Sequence, residues 1–235
     1  MYLVRIMDRL ISLSEVVRDA KPQFVSLLNK SILLRQKYLD FYGTEDVRPE
    51  YFDREFQLNV WLLTQFDNFL EIVEHNERIT RYVEFTPQMG SVFLNQYDTI
   101  NRTCYCTRVM FDVDNFLANI AKNINVVNTN YAPMVNAFTK LGLSEQQRRT
   151  LLAPAAFRNS LHNNGYYQRG EEFDLTLGAI TWHFRLGKRV EDFTWSNMYV
   201  VFDELFNALE AIINLSEVQK VPNIPHNSMT YHDTQ

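Results

Sequence analysis

The chain has 235 residues, of which 46% are apolar and 22% are charged, a composition typical of a globular protein with one sizeable core. Its net charge of −5 excludes a broad basic surface that coats nucleic acid, so a phosphate-binding site must be local or be completed by a second subunit. Seven glycines and seven prolines are few for this length and favour long helices over a turn-rich β fold. The two cysteines, Cys104 and Cys106, are predicted to be free thiols in a reducing compartment.

Apolar residues recur at helical spacing through the first half of the chain, where four helices are predicted. The third is apolar on more than one side, so we expect it to lie at the centre of a bundle. A polar turn after Gly43 separates the second helix from the third. The four predicted helices cover residues 2–19, Pro22 to about Tyr42, about Glu50 to Arg81, and about Ser91 to Ile124.

Two further helices are predicted beyond an Asn-rich connection. The first is a short helix around residues 132–140. Ser144 and Gln147 then stand at the spacing of a capping box, which predicts the start of the next helix. We expect Pro154 to kink or restart that helix, because proline removes a backbone hydrogen bond.

The segment from Pro154 to Gly165 carries the densest cluster of polar side chains. Pro154 suits the first position of a helix, and Gly165 suits the left-handed residue just past its end. Arg158 and His162 share one helical face, with their Cβ atoms roughly 5–6 Å apart, and Asn159 borders that face. A guanidinium, an imidazole and an amide near a helix end predict an anion or phosphate site.

After Gly165, the spacing of apolar residues changes from that of a helix to that of a β-strand. Alternating apolar and polar residues predict a small β-hairpin near residues 173–191, with a turn at Gly178 or a second turn at Gly187. Helical spacing returns behind Thr194, a candidate N-cap, and continues to about Leu215.

These elements predict a mainly helical, all-α fold with a small β-hairpin, forming a single domain over residues 1–218 with a C-terminal tail over 219–235. No stretch approaches the roughly 18 apolar residues that a membrane span needs. Arg5, Asp8 and Arg9 interrupt the apolar N-terminus, which differs from a signal-peptide core. We therefore expect a cytoplasmic protein without membrane contact.

The run Arg158-Asn159-Ser160-Leu161-His162-Asn163, late in a helix of a mainly helical chain, resembles the Arg-Asn…His signature of HEPN domains. These domains are helical bundles of toxin–antitoxin, abortive-infection, CRISPR-associated and other defence systems, and of some RNA-processing proteins. The resemblance covers about residues 90–216, and it includes the short β excursion and the Trp-led closing helix. The HEPN ribonuclease pattern usually leaves a longer gap between Arg and His than the three residues found here.

The resemblance implies metal-independent cleavage of RNA. Arg158 would bind the scissile phosphate and stabilise the charge that develops on it. His162 would transfer a proton between the ribose 2′-hydroxyl and the leaving oxygen, and Asn159 would orient the phosphate or the imidazole. The resemblance also implies a homodimer in which two such helices face each other, with an antitoxin or another defence-system protein as a further partner.

Three more residues are candidate RNA contacts. Tyr166 and Tyr167 would stack on bases, with packing against the protein body as the alternative, and Arg185 would border the cleft. No metal or cofactor is predicted, because the Glu71 to His75 segment lacks the second Glu-x-x-His copy that a di-iron bundle requires.

Two functional hypotheses remain, and a purely structural subunit of a larger complex, which would expose a large apolar patch when isolated, is a third possibility. The first is a ribonuclease or RNA-processing toxin of a prokaryotic defence or toxin–antitoxin system. The second is a non-catalytic HEPN-like interaction or nucleotide-sensing module, which the short Arg-to-His spacing favours. In a structural interpretation, Arg158 and His162 instead cap carbonyl groups at their own helix end.

Overall fold

The computed structural model describes residues 2–74, 87–126 and 130–225. Within these residues most of the chain is helical, and one two-stranded sheet lies between the fifth and sixth helices, which confirms the predicted mainly all-α fold class. The elements are α1 (Tyr2–Tyr42), α2 (Val47–Glu74), α3 (Pro87–Asn123), α4 (Tyr131–Lys140), α5 (Glu145–His162), β1 (Phe173–Leu177), β2 (Ile180–Phe184), α6 (Trp195–Ile213) and α7 (Ser216–Gln219).

The first helix runs without interruption through Pro22, so the predicted break there is wrong. At about 1.5 Å per residue this helix is roughly 60 Å long. An internal proline costs about 3 kcal/mol. The apolar face around the proline is buried against α2 and α6, and this burial offsets the cost; its members are Val17, Ala20, Phe24 and Leu27.

Helices α2 and α3 both begin earlier than predicted. The start of α2 is Val47, which places Pro49 in the first turn, where the missing backbone N–H has no helical partner to lose. The start of α3 is Pro87, for the same reason. The predicted end of α2 at Arg81 lies outside the described residues.

Four helices meet in an aromatic cluster at the centre of the molecule. It contains Phe24 of α1, Phe66 of α2, Tyr105 of α3 and Trp195 at the start of α6, all buried. The Phe66 and Trp195 ring centroids are 4.9 Å apart at 81°, and those of Phe24 and Trp195 are 5.7 Å apart at 86°. These edge-to-face contacts add to the apolar burial that joins the helices.

Helix α5 is continuous through Pro154, so the predicted restart of the helix there is wrong. The predicted capping box is confirmed: the Ser144 hydroxyl accepts a hydrogen bond from the Gln147 N–H, and the Gln147 side chain accepts one from the Ser144 N–H. Pro154 itself is buried, together with Leu151, Leu152, Ala153, Ala156 and Phe157. Tertiary packing of this face outweighs the local cost of the proline.

The predicted hairpin covers one side of α5. Its strands pair antiparallel, with Phe173 opposite Phe184 and Leu177 opposite Ile180, so the turn at Gly178 is confirmed. The Phe157 ring of α5 contacts Phe184 at a centroid distance of 5.5 Å. This contact fixes the hairpin against the helix that carries the polar cluster.

The residues behind α7 pack against the turn between α1 and α2. Ile224 is buried, and its backbone N–H donates to the Asp46 carboxylate at 2.8 Å. Asp46 also binds the Arg48 guanidinium, and both side chains are fully buried. Arg48 in turn donates to the carbonyl of Val221 at 3.2 Å. The predicted tail from residue 219 therefore begins with residues that pack against the body of the protein, and residues 226–235 lie outside the described residues.

No described helix combines the length and the apolar character that crossing a membrane requires. Cys104 and Cys106 are free thiols, the first exposed and the second buried.

Candidate functional site

The polar cluster of α5 opens into a cavity of about 440 Å³. The last turns of α5, the start of α4 and the loop between α5 and β1 form its walls. Polar side chains in the wall are Arg158, Asn159, His162, Asn163, Arg169 and Glu171, and apolar ones include Leu152, Ala156 and Phe173. The Tyr131 hydroxyl donates to the carbonyl of Leu151, which ties α4 to α5 beside the cavity.

Arg158 and His162 are both exposed and both line this cavity. Within the described residues neither side chain has a hydrogen bond or an ion pair. The helix end is closed by other groups: the Gly165 N–H donates to the carbonyl of Ser160 at 2.8 Å, and the Asn163 amide donates to the carbonyl of Asn159 at 2.7 Å. The guanidinium and the imidazole are therefore available to a ligand.

Asn159 is bound to the neighbouring loop. Its amide nitrogen donates to the carbonyl of Arg169 at 3.0 Å, and its amide oxygen accepts from the Gln168 N–H at 3.4 Å. The same oxygen accepts from the Asn163 amide at 3.0 Å. Asn159 thus holds the loop against α5, which differs from the expectation that it orients a phosphate or the imidazole.

The aromatic candidates lie in different surroundings. Tyr167 lines the cavity but is only 2% exposed, and its hydroxyl donates to the carbonyl of Glu171 at 2.8 Å. A ring this buried offers no face for a base. Tyr166 is 45% exposed but is not part of the cavity wall.

Arg185 is also outside the cavity wall. Its guanidinium donates to both Asp174 carboxylate oxygens at 2.8 and 2.9 Å, and His183 contacts the same carboxylate. Hydrogen bonds from His183 and Arg185 lower the pKa of Asp174 below its ordinary value. The pair Arg185–Asp174 braces the hairpin instead of bordering the cleft.

Two residues that the sequence did not suggest belong to the site. Arg169 lines the cavity from the loop, and Glu171 is the acidic residue in the wall. Arg148, near the start of α5, donates to both Glu171 carboxylate oxygens at 2.8 and 3.0 Å, and this lowers the pKa of Glu171. The loop has no periodic pattern, so only its three-dimensional path brings these residues to α5.

Within the described residues, no three His, Cys, Asp or Glu side chains come together as a potential metal site. His75, weighed above as part of a metal site, lies outside those residues.

The fold and the site define a mainly α-helical protein with an open cavity at the end of α5, where a guanidinium and an imidazole have no partner within the described residues. A scan against protein-family models, a search of the curated proteins and a search of the solved structures found no match to this chain.

Proposed function

We propose that this protein is a metal-independent, HEPN-like endoribonuclease of a prokaryotic defence or toxin–antitoxin system. One observation carries the proposal: Arg158 and His162, four residues apart on α5, line one cavity, and neither has a partner within the described residues. An unpaired guanidinium beside an imidazole on one open cavity offers the anion contact and the proton donor or acceptor that cleavage at an RNA phosphate requires.

In this reaction the ribose 2′-oxygen attacks the adjacent phosphorus and the bond from phosphorus to the 5′-oxygen breaks. The products are a 2′,3′-cyclic phosphate and a 5′-hydroxyl. Arg158 binds the phosphate oxygens, where negative charge increases in the transition state. His162 either accepts the 2′-hydroxyl proton or supplies a proton to the leaving 5′-oxygen.

A homodimer would complete this chemistry. One chain supplies one imidazole at the site, whereas the reaction uses a base and an acid, and two α5 helices facing each other supply both. The second set of side chains would also concentrate positive charge locally in a chain whose net charge is −5.

The test is cleavage of RNA in EDTA by the wild type, Arg158→Ala and His162→Ala. We expect 2′,3′-cyclic phosphate ends from the wild type and a loss of rate of about 100-fold or more in each variant. Arg189→Ala is the matched control, because Arg189 is an exposed arginine outside the cavity wall. Equal cleavage by all four proteins, or none by any, contradicts the proposal.

A second candidate function is a non-catalytic HEPN-like nucleotide-sensing module of a defence complex. The observation that favours it is that the Asn159 side chain holds the loop through two hydrogen bonds, a structural role that needs no part in cleavage. Binding of RNA without cleavage, lost in Arg158→Ala, would select this candidate over the nuclease.

A further inference from the structure

Arg169 lines the same cavity as Arg158 but belongs to a different element. Arg158 stands on α5, whereas Arg169 belongs to the loop between α5 and β1, and both line the same space. Arg169 is exposed, and its side chain has no hydrogen bond or ion pair within the described residues. The cavity therefore carries two available guanidinium groups on two different elements.

The loop that carries Arg169 is held in one path. Asn159 binds the carbonyl of Arg169 itself at 3.0 Å, and Tyr167 binds the carbonyl of Glu171 at 2.8 Å. Gly170 has a φ of +113°, and a Cβ at this position would collide with the Tyr167 hydroxyl. The backbone on both sides of Arg169 is thus fixed relative to α5.

The charge balance of the cavity favours an anion with more than one negative charge. Glu171, the acidic residue in the wall, is held by the Arg148 guanidinium through two hydrogen bonds. Arg158 and Arg169 have no such partner within the described residues. Two unpaired cations accordingly face the ligand, against one carboxylate whose charge is already matched.

The size of the cavity indicates a ligand larger than one phosphate. A volume of about 440 Å³ falls in the range of small-molecule sites and exceeds what a single phosphate fills. Tyr131, Ala132 and Ala155 line the cavity and are only partly buried, so they supply an apolar surface in the wall. A nucleoside that packs on this surface would leave the phosphates on its two sides to the two guanidinium groups.

We infer that Arg158 and Arg169 bind two consecutive phosphates of one RNA strand, so that the smallest complete ligand is a nucleoside with a phosphate on each side. Asn159 is a positioning residue that acts through Arg169. The inference deepens the proposed function and rests on its assignment of the cavity to RNA phosphate.

The test measures the affinity of 2′-O-methyl dinucleotides, whose blocked 2′-oxygen prevents cleavage. One probe has only the internal phosphate, and two others add a 5′- or a 3′-phosphate. For the wild type we expect one of the two phosphorylated probes to bind about tenfold more tightly than the unphosphorylated probe. Arg169→Gln should remove this gain and leave the affinity for the single-phosphate probe unchanged. It should also lower the slope of log affinity against log salt by about one.

Three variants make the result specific. Arg158→Gln should weaken all probes, and Arg189→Gln, outside the cavity wall, should change none. Asn159→Ala should reduce the gain from the second phosphate but add nothing in an Arg169→Gln background. A general loss of folding would instead weaken every probe alike and would not depend on Arg169.

Equal affinity of the wild type for all probes, a gain that survives in Arg169→Gln, or no binding of any probe would overturn the inference. Failure of the proposed function gives a different result, because these probes report binding alone. A tenfold gain that depends on Arg169, together with no cleavage of RNA, would overturn the nuclease and retain the two-phosphate site.

Discussion

Glu55 is a buried acid between α2 and α3. Its side chain is 1% exposed, and burial, followed by the negative charge of Asp112, raises its pKa to about 8. Asp112 is paired with Arg108 at 2.7 Å and lies 3.6 Å from Arg54, and burial raises its pKa above the ordinary value as well. At neutral pH Glu55 is therefore mostly protonated in the folded protein.

The raised pKa of Glu55 predicts a pH dependence of stability. Between about pH 4.5 and 8 the unfolded chain releases a proton that the folded protein retains. The free energy of unfolding should therefore decrease as pH rises through this interval and become level above it. Glu55→Gln removes this contribution, so the variant should gain stability relative to the wild type between pH 5 and pH 9.

Urea unfolding at pH 5, 7 and 9 measures this difference. Glu15→Gln, on the exposed side of α1, is the control. A plot of its free energy of unfolding against pH should run parallel to that of the wild type. Parallel curves for Glu55→Gln and the wild type would contradict the assignment of a raised pKa.

At the scale of single elements, α5 joins the site to the rest of the protein. Arg148, in its N-terminal half, binds both Glu145 and Glu171. Arg149 donates to the carbonyl of Asp174 in β1 at 3.1 Å. The N-terminal half thus fixes the loop and the hairpin, and the C-terminal half presents Arg158 and His162 to the cavity.

Arg148→Ala should weaken anion binding although Arg148 itself does not line the cavity. The substitution leaves the Glu171 carboxylate unpaired in the cavity wall, where it opposes a phosphate. We expect the affinity for the single-phosphate probe to decrease by about two- to fivefold, the size of a solvent-screened charge interaction. Glu171→Gln in the same background removes the charge and should restore the affinity. Absence of this rescue would contradict the electrostatic explanation.

Local signals in the sequence predicted some elements correctly and others incorrectly, for physical reasons. The capping box at Ser144 and the N-cap at Thr194 depend on residues three positions apart, and the structure confirms both. The hairpin turn at Gly178 is equally local. The predicted breaks at Pro22 and Pro154 did not occur, because burial of the apolar face around each proline offsets the missing backbone hydrogen bond. This burial depends on the neighbouring helices, so the local sequence does not indicate it.

The site was predictable only in part for the same reason. Arg158 and His162 share a helical face through their spacing alone, so the sequence predicts that they lie together, whereas the cavity that this face lines is visible only in the fold. Arg169 and Glu171 reach the cavity through a loop whose path depends on Asn159 and Gly170. No sequence period encodes such a path.

At the scale of the whole molecule, the residues after α7 close the fold onto the turn between α1 and α2. Asp46 accepts hydrogen bonds from the backbone of Ile224 and from the guanidinium of Arg48. The Arg48 guanidinium also lies 3.2 Å from the centre of the Tyr42 ring. A buried ion pair is costly unless its remaining hydrogen bonds are satisfied, and the C-terminal segment satisfies them.

Deletion of residues 221–235 should therefore destabilise the whole protein. It removes the buried Ile224 side chain and the C-terminal partners of Asp46 and Arg48, at a cost of about 3 kcal/mol or more. Deletion of 226–235 keeps Ile224 and Pro225 and serves as the reference, so the difference in midpoint between the two deletions measures the contribution of residues 221–225. Urea unfolding compares the three proteins, and equal midpoints for both deletions would contradict the role of this segment.

The link between Asn159 and the loop has an evolutionary consequence. Asn159 holds the carbonyl of Arg169, and the next residue, Gly170, has a φ of +113° that side-chain-bearing residues rarely adopt, so a substitution at either position disturbs the same turn of the loop. We therefore expect sequences related to this chain to change the two residues together, and an alignment in which they vary independently would contradict this link.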